Sequence, residues 1–370
     1  MKKLKIVAYI LLGIITLLVA AGFSTDQYIK SAEPMNKDRI QKSAQYDGEK
    51  FVNPTPMAPQ GLSFFPKMIN QQLFEKIQPS APKLPIPVQN ITPEQLANLP
   101  ANETIFFKLG HSSILLWIEN EFWLIDPVFS DRASPFSFMG PKRFHPTPLS
   151  IADLPPIKGV ILSHNHYDHL DEAAIKALNA KVENFYMPLG VGATLAKWGV
   201  SANQIHEYDW HESVTVGNLT LTATPSQHFS GRGLSDRNQS LWASWVIKSS
   251  QNNIYFSGDS GYFAGFKDIG TQYGPFDIAF METGAYNTLW PDVHMMPQET
   301  VQAFIDLSGS VLVPIHNSTF DLSVHAWFDP LEQVLKYSDE QNVQLLVPKM
   351  GDPVNLNAIP ELKTWWQDLM

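Results

Sequence analysis

Residues Ile157-Lys158-Gly159-Val160-Ile161-Leu162-Ser163 run directly into His164-Asn165-His166-Tyr167-Asp168-His169, and the reading of this junction decides the fold. The first part has the length and composition of a buried strand. The second sets three imidazoles and a carboxylate where that strand ends. As packing the arrangement makes little sense, because four polar heads would each need a partner at the edge of a core. As a metal site it does: neutral histidine nitrogens and a carboxylate suit Zn or Fe. The H-x-H-x-D-H spacing puts His164 and His166 on one side of an extended backbone, while Asp168 and His169 can turn toward a second metal.

Composition narrows the chemistry. A chain of 370 residues can bury a sizeable core as one large domain or two small ones. Its 26 Lys+Arg against 36 Asp+Glu give a net charge of −10, which argues against nucleic acid as the partner. Pro141-Lys142-Arg143 is the only obvious basic cluster in the middle of the chain. With no Cys, thiolate ligands, Cys nucleophiles and disulfides are excluded. Transition-metal chemistry therefore falls to the eleven His and to carboxylates.

The N-terminus reads as a targeting segment. Lys2, Lys3 and Lys5 precede an uncharged apolar run from Ile6 to Phe23, which predicts a signal anchor or signal peptide over residues 1–23. The lysines imply a cytoplasmic start and an exported remainder, an inner-membrane-anchored protein with its catalytic domain in the periplasm, or one secreted there if the segment is cleaved. Residues 24–100 form a Pro-rich arm, extended and wrapping, with a helix over Pro66–Ile77 and a short one entered at Thr92-Pro93. Phe51, Phe64, Phe65 and Phe74 argue that this arm packs on the main domain, residues 101–370.

From Thr104 the order is strands, then helices, twice over. Thr104–Leu109, Ser112–Ile118 and Glu121–Ile125 read as strands. After the His-rich run come a helix over Asp171–Asn179 capped by Asp171, a strand at Val182–Met187 and a helix at Gly190–Trp198. A hairpin around Gly217-Asn218, strands at Trp242–Lys248, Asn253–Phe256 and Asp277–Met281, and a helix over Pro297–Leu307 lead to Val311–Ile315. A helix at Pro330–Gln341 and a strand at Val343–Val347 close the domain. His166, His228, Asp259 and His316 recur at strand ends, the pattern of a site assembled between two sheets in an α/β protein.

Taken in this order, His164, His166, Asp168, His169, His228, Asp259 and His316 resemble the ligand set of the metallo-β-lactamase-fold hydrolases. Gly110-His111-Ser112-Ser113, Ile125-Asp126-Pro127, Gly140-Pro141-Lys142-Arg143-Phe144, the stretch Gly231 to Asn238, and Gly284-Ala285-Tyr286 resemble the branch that hydrolyses N-acyl-phosphatidylethanolamine, the phospholipase D type. The resemblance covers roughly residues 100 to 350. It implies a four-layer αββα sandwich of two mixed sheets. It also implies two Zn2+ per chain, one held by His164, His166 and His228, the other by Asp168, His169 and His316, with Asp259 bridging. A bridging hydroxide would then attack a phosphodiester, with Asp168 orienting it. The resemblance further places His294 at the reaction centre, binding phosphate or protonating the leaving group. Asp126 is a candidate acceptor for a ligand imidazole, and His111 either shares that role or is structural. His145, His206, His211 and His325 read as surface residues.

Two positions depart from the family pattern: Asn317-Ser318 follows His316 where Trp-Gly is usual, and Asp259-Ser260 replaces Asp-Thr. Phe136, Phe138, Met139, Phe229, Tyr262, Phe263, Phe266, Leu289, Trp290, Met295 and Met296 fall in loops expected to ring the site, as an apolar groove for an acyl-bearing phospholipid. Two alternatives stand beside the phospholipid reading: a lactonase or β-lactamase on the same site, and a non-catalytic metal-binding envelope protein. An intact set of ligands argues against the latter.

Overall fold

The computed structural model describes residues 24–28, 30–57 and 64–370. Residues 1–23, expected as a targeting segment, lie outside the described residues, among which no helix is long and apolar enough to cross a membrane. The arm contributes α1 (Lys37–Lys42), α2 (Phe64–Asn70) and α3 (Pro93–Ala97). Strands β1 (Ile105–Gly110), β2 (Ser113–Ile118), β3 (Glu121–Ile125) and β4 (Ile157–Ile161) follow, then α4 (Glu172–Leu178), β5 (Val182–Pro188), α5 (Gly192–Lys197) and β6 (Ile205–Tyr208). The second half holds β7 (Ser213–Val216), β8 (Leu219–Thr224), β9 (Ser244–Lys248), β10 (Asn253–Phe256), α6 (Gly265–Tyr273), β11 (Phe276–Glu282), α7 (Pro297–Asp306), β12 (Gly309–Ile315), α8 (Asp329–Gln341) and β13 (Pro353–Asn355).

These strands make two mixed sheets. One runs β13-β1-β2-β3-β4-β5-β6, antiparallel up to β3 and parallel from β3 onward. The other runs β12-β11-β10-β9-β8-β7, parallel across β12-β11-β10 and antiparallel beyond. Three apolar layers explain the stacking. Between the sheets, Ile114, Leu116, Trp123 and Ile161 meet Leu221, Trp245, Phe256, Phe280 and Val313. On the outer face of the first sheet, Leu115, Leu124 and Phe185 pack on Ile175 and Leu178 of α4 and Leu195 of α5. On the outer face of the second, Tyr255, Ala279 and Leu312 pack on Phe266 of α6, Phe304 of α7 and Val334 of α8. Strands covered on both faces are buried almost without alternation, as β1, β2 and β11 are. Each large side chain so buried contributes about 1.5–3 kcal/mol of transfer free energy.

Local signals place the helix starts. Asp171 accepts from the amides of Ala173 and Ala174, and Thr92 Oγ1 accepts from the Gln95 amide with Pro93 at the first helical position. Elsewhere the expectations shift. The segment expected as one helix over Pro66–Ile77 is α2 followed by a wider π-type turn over Gln71–Glu75, and its apolar side chains face outward: Ile69, Leu73, Phe74 and Ile77 are all exposed. Phe51, by contrast, is wholly buried in the layer between the sheets. Val343–Val347 forms a single parallel bridge, Leu312 to Leu345, with hydrogen bonds on either side, and not a strand. β6 and β13 were not expected; both are short sheet edges with little alternation to reveal them.

His145, expected at the surface, is buried. Its Nδ1 donates to the Pro146 carbonyl (2.8 Å), which leaves Nε2 to accept from Thr319 Oγ1 at 3.0 Å. Burial, reinforced by the Arg143 charge, pulls its pKa from 6.5 down to about 4. The folded ring is therefore neutral where the unfolded one gains a proton, so stability is lost as pH falls from about 6.5 toward about 4. Chemical-denaturation midpoints measured at pH 7 and pH 5 should show a smaller drop for His145→Gln than for the wild type.

Candidate metal centre

β3 ends at Ile125 and the next residue, Asp126, adopts φ 41°. This left-handed turn points its carboxylate back across the end of β4. There Oδ1 accepts from the Ser163 amide (2.7 Å), and Oδ2 accepts from Ser163 Oγ (2.5 Å) and His169 Nδ1 (2.7 Å). The His-rich run is thus anchored at its root to the neighbouring strand. Its middle is braced by Arg232, a buried guanidinium that donates to the carbonyls of Asn165 and Leu170 (2.8 Å each) and stacks over the Tyr167 ring at 4.0 Å. From the second sheet, His228 follows β8, Asp259 follows β10 and His316 follows β12 at φ 62°. Two glycines make room. A Cβ on Gly258 (φ 56°) would sit 2.7 Å from Ser163 Cβ, and one on Gly284 would sit 2.1 Å from the His316 carbonyl oxygen.

All seven expected ligands converge. His164 Nε2 lies 2.9 Å from His166 Nδ1, which lies 3.2 Å from His228 Nε2; Asp259 Oδ2 is 3.7 Å from His164 Nε2 and 3.6 Å from His228 Nε2. In the neighbouring group, His316 Nε2 is 3.2 Å from Asp168 Oδ2 and 3.1 Å from Asp259 Oδ2, and His169 Nε2 is 3.1 Å from Asp259 Oδ1. A tetrahedral ion with bonds of about 2.0–2.1 Å spaces its donors about 3.3–3.4 Å apart, a value that the distances found, from 2.9 to 3.7 Å, bracket. His169 Nε2 and Asp259 Oδ1 are both buried and neither makes a hydrogen bond among the described residues, although they face each other. Two outward nitrogens are held: His228 Nδ1 donates to the Val293 carbonyl (2.9 Å) and His169 Nδ1 to Asp126, so these two rings turn Nε2 inward. A donor set of imidazoles and carboxylates, with orphaned atoms at its centre, fits divalent transition-metal cations.

The charges tell the same story. Burial, with the neighbouring imidazoles adding to it, holds His164 well below its ordinary value, and burial does the same at His228. His166 is pulled down to about 4, again chiefly by burial. Burial also opposes ionisation of Asp168 and Asp259, yet the His169 charge overcomes it, helped by hydrogen bonds from His111 and His316 at Asp168 and by the His316 charge at Asp259, and both are held well below the carboxylate range. At His316 burial is outweighed by Asp259 and Asp168, which raise it to about 10. Two carboxylates, Asp259 buried and Asp168 partly so, thus demand positive charge, and three neutral imidazoles stand ready to ligate.

His294 is also here, its ring centroid 5.1 Å from that of His228 and 5.2 Å from that of His316. Its Nδ1 lies 2.5 Å from Glu282 Oε1, a carboxylate at the end of β11 that sequence reasoning missed. Its signal was present in Glu282-Thr283-Gly284-Ala285-Tyr286, where an acidic residue ends the apolar run Ile278–Met281. His111 is buried, with Nε2 3.0 Å from Asp168 Oδ2, and it joins Asp168, His169 and His316 in a group whose ligand atoms lie within 4.8 Å of one another. The arm reaches the site too: Asn53 exchanges hydrogen bonds with the His228 backbone at 2.7 and 2.9 Å. Of the apolar residues expected to ring the site, Phe229 packs on His166 at 4.6 Å. Phe263, Phe266 and Met295 instead belong to the buried layer under α6 to α8. Phe138 and Met139 are exposed.

A beta-lactamase superfamily domain matches residues 123–317, over half of the chain. An uncharacterised protein of Mycobacterium tuberculosis is 41% identical over 305 residues, 81% of each chain. The N-acyl-phosphatidylethanolamine-hydrolyzing phospholipase D 1 of Caenorhabditis elegans is 32% identical over 332 residues, 84% of this chain and 92% of the relative. Among solved structures, the metallo hydrolase Igni18 of Ignicoccus hospitalis shares the fold with a TM-score of 0.53 at 20% identity, covering 68% of this chain and 97% of that one. The chain belongs to the metallo-β-lactamase superfamily and has homologues among its N-acyl-phosphatidylethanolamine-hydrolysing phospholipases D. It is a metal-dependent hydrolase.

Asp126→Asn removes the charge that orients His169 and should weaken metal affinity roughly 10–100-fold, read by competition with a chromophoric chelator. Gly284→Ala, which displaces the His316 carbonyl, should lower metal content after dialysis while the far-ultraviolet circular dichroism of the fold persists.

Proposed function

We propose that the protein is a zinc-dependent phosphodiesterase of the phospholipase D type, acting on glycerophospholipids such as N-acyl-phosphatidylethanolamine with two Zn2+ per chain. The observation that carries this reading is the joining of two facts: the seven-residue donor set around Asp259, and the similarity to the C. elegans phospholipase over 92% of that enzyme. When bound, a pair of zinc ions supplies a water acidic enough to act near neutral pH and positive charge for the phosphoryl oxygens.

The chain's own residues do the rest. His164, His166 and His228 with Asp259 would hold one cation, and Asp168, His169 and His316 with Asp259 the other. Asp168, held by His111, orients the attacking water through its carboxylate. A bond forms between the water oxygen and phosphorus as the water releases one proton to solvent, the bond from phosphorus to the headgroup oxygen breaks, and His294 gives a proton to the departing oxygen and regains one from solvent after product leaves. The products are phosphatidic acid and the free headgroup alcohol. His294 suits this role because its side chain, 13% exposed, borders both ligand groups while its far nitrogen is fixed by Glu282.

The apolar run Ile6–Phe23 supports tethering to the inner membrane, with the hydrolase domain outside the cytoplasm. Exposed Phe138 and Met139, on the loop that leaves β3, support contact with a lipid surface.

Zinc-loaded protein incubated with vesicles containing N-acyl-phosphatidylethanolamine should release phosphatidic acid and the N-acylethanolamine, followed by mass spectrometry. Asp259→Asn should lower the rate by at least about 10²-fold. Equal product from wild type and variant, or none from either, would overturn the reading.

A further inference from the structure

Glu282 closes β11 inside the protein, with its side chain wholly buried. A carboxylate in that position carries a desolvation cost of several kcal/mol unless it is paired and hydrogen-bonded. Its two oxygens are divided between two partners. Oε1 faces His294 Nδ1 at 2.5 Å, and Oε2 accepts from the Ser260 amide at 3.1 Å. The backbone is pinned as well: the Glu282 amide donates to Ser257 Oγ (2.9 Å) and its carbonyl accepts from Thr300 Oγ1 (2.9 Å). Among the described residues Glu282 is absent from every grouping of ligand atoms within 4.8 Å of one another, so the chemistry of the donor set does not require it. What it touches in the site is His294.

We propose that Glu282 is the positioning residue of His294, fixing that ring with Nδ1–H toward the carboxylate and Nε2 toward the leaving oxygen, and that the pair selects diesters whose leaving group is a poorly acidic alcohol. The inference rests on the phosphodiesterase reading. It follows from two constraints. An alkyl alcohol departing from phosphorus must collect a proton as the bond breaks, whereas an aryl alcohol as acidic as nitrophenol departs as its anion. A ring with one nitrogen held by a buried anion has one tautomer and one orientation when neutral, and the anion supports the charge when the second nitrogen carries the proton to be donated. The Ser260 amide keeps Glu282 from following the ring if the ring moves, because that amide belongs to the turn that carries Asp259.

The test uses Glu282→Gln, which keeps the volume and the Ser260 bond but presents no anion, in full-length zinc-loaded protein. Two substrates are compared: a glycerophospholipid in vesicles and bis(p-nitrophenyl) phosphate. The phospholipid rate should fall by about 10²-fold, and the aryl rate at least tenfold less. His294→Gln should show the same selective loss, and the double variant no further loss. Metal content should be that of the wild type throughout. A second readout needs no turnover: long-range 1H–15N spectra of 15N-histidine-labelled protein should show the His294 ring protonated at Nδ1 in the wild type and mixed tautomers in Glu282→Gln. Equal losses on both substrates, additive losses in the double variant, or depleted metal would make Glu282 merely structural and overturn the inference. So would an unprotonated Nδ1 in the wild type. If the wild type cleaves neither diester, the phosphodiesterase reading falls, and with it the assigned selectivity, while the spectra still decide whether Glu282 fixes the ring.

Discussion

The contact on which the rest of the site depends is the one between Asp126 and the first residues past β4. One buried carboxylate accepts from a backbone amide, a hydroxyl and an imidazole, all within a single turn of the His-rich run. It holds together the ends of two adjacent parallel strands, and it fixes which nitrogen of His169 points inward. Burial pushes Asp126 toward its neutral form, and His169 and Ser163 oppose that. The carboxylate can stay charged only while those partners stay in place. The root of the site is therefore cooperative: the strand ends, the ligand and the carboxylate are correct together or not at all.

The site was more legible in the sequence than the elements that carry it. Ligands follow strand ends, and His164 to His169 could be found because polar residues closing an apolar run have no packing explanation, whereas His228, Asp259 and His316, unremarkable singly, could be found because their order and spacing resemble a known ligand set. Glu282 obeys the same rule and was missed because a lone acidic residue after Met281 looks like the solvent-facing end of a strand. Only the fold shows that end to be buried, since the glutamate is covered by α7 through Thr300 and by the loop carrying His294. His145 was misplaced for the converse reason. A histidine in a Pro-rich loop carries no periodicity, and its burial depends on Thr319, which lies 174 residues away.

The arm shows the limit of pattern reading most clearly. Phe51 and Phe74 look alike in the sequence, yet one is buried between the sheets and the other is 79% exposed. The difference lies in the backbone around them. The Phe51 amide donates to the Asn238 carbonyl at 2.9 Å, and the Asn238 side chain donates back to the Phe51 carbonyl at 3.2 Å, which stitches that part of the arm to the loop carrying Arg232. Phe74 sits in a π-type turn whose neighbouring contacts are polar, Lys76 to Asp321 and Gln71 to Asn287. Neither pairing can be read from local composition, because each spans more than 180 residues.

The donors come from both sheets: four from the run after β4, and His228, Asp259 and His316 from the ends of β8, β10 and β12. A cation held between them is a rivet across the central apolar layer as well as a reagent. The two sheets cannot part without releasing it, so the folding equilibrium is linked to the free-metal concentration. Once a site is well saturated, each tenfold rise in free cation adds about 1.4 kcal/mol to the stability of the closed sandwich. The protein's lifetime in a metal-poor compartment and its activity there are then governed by the same binding constants.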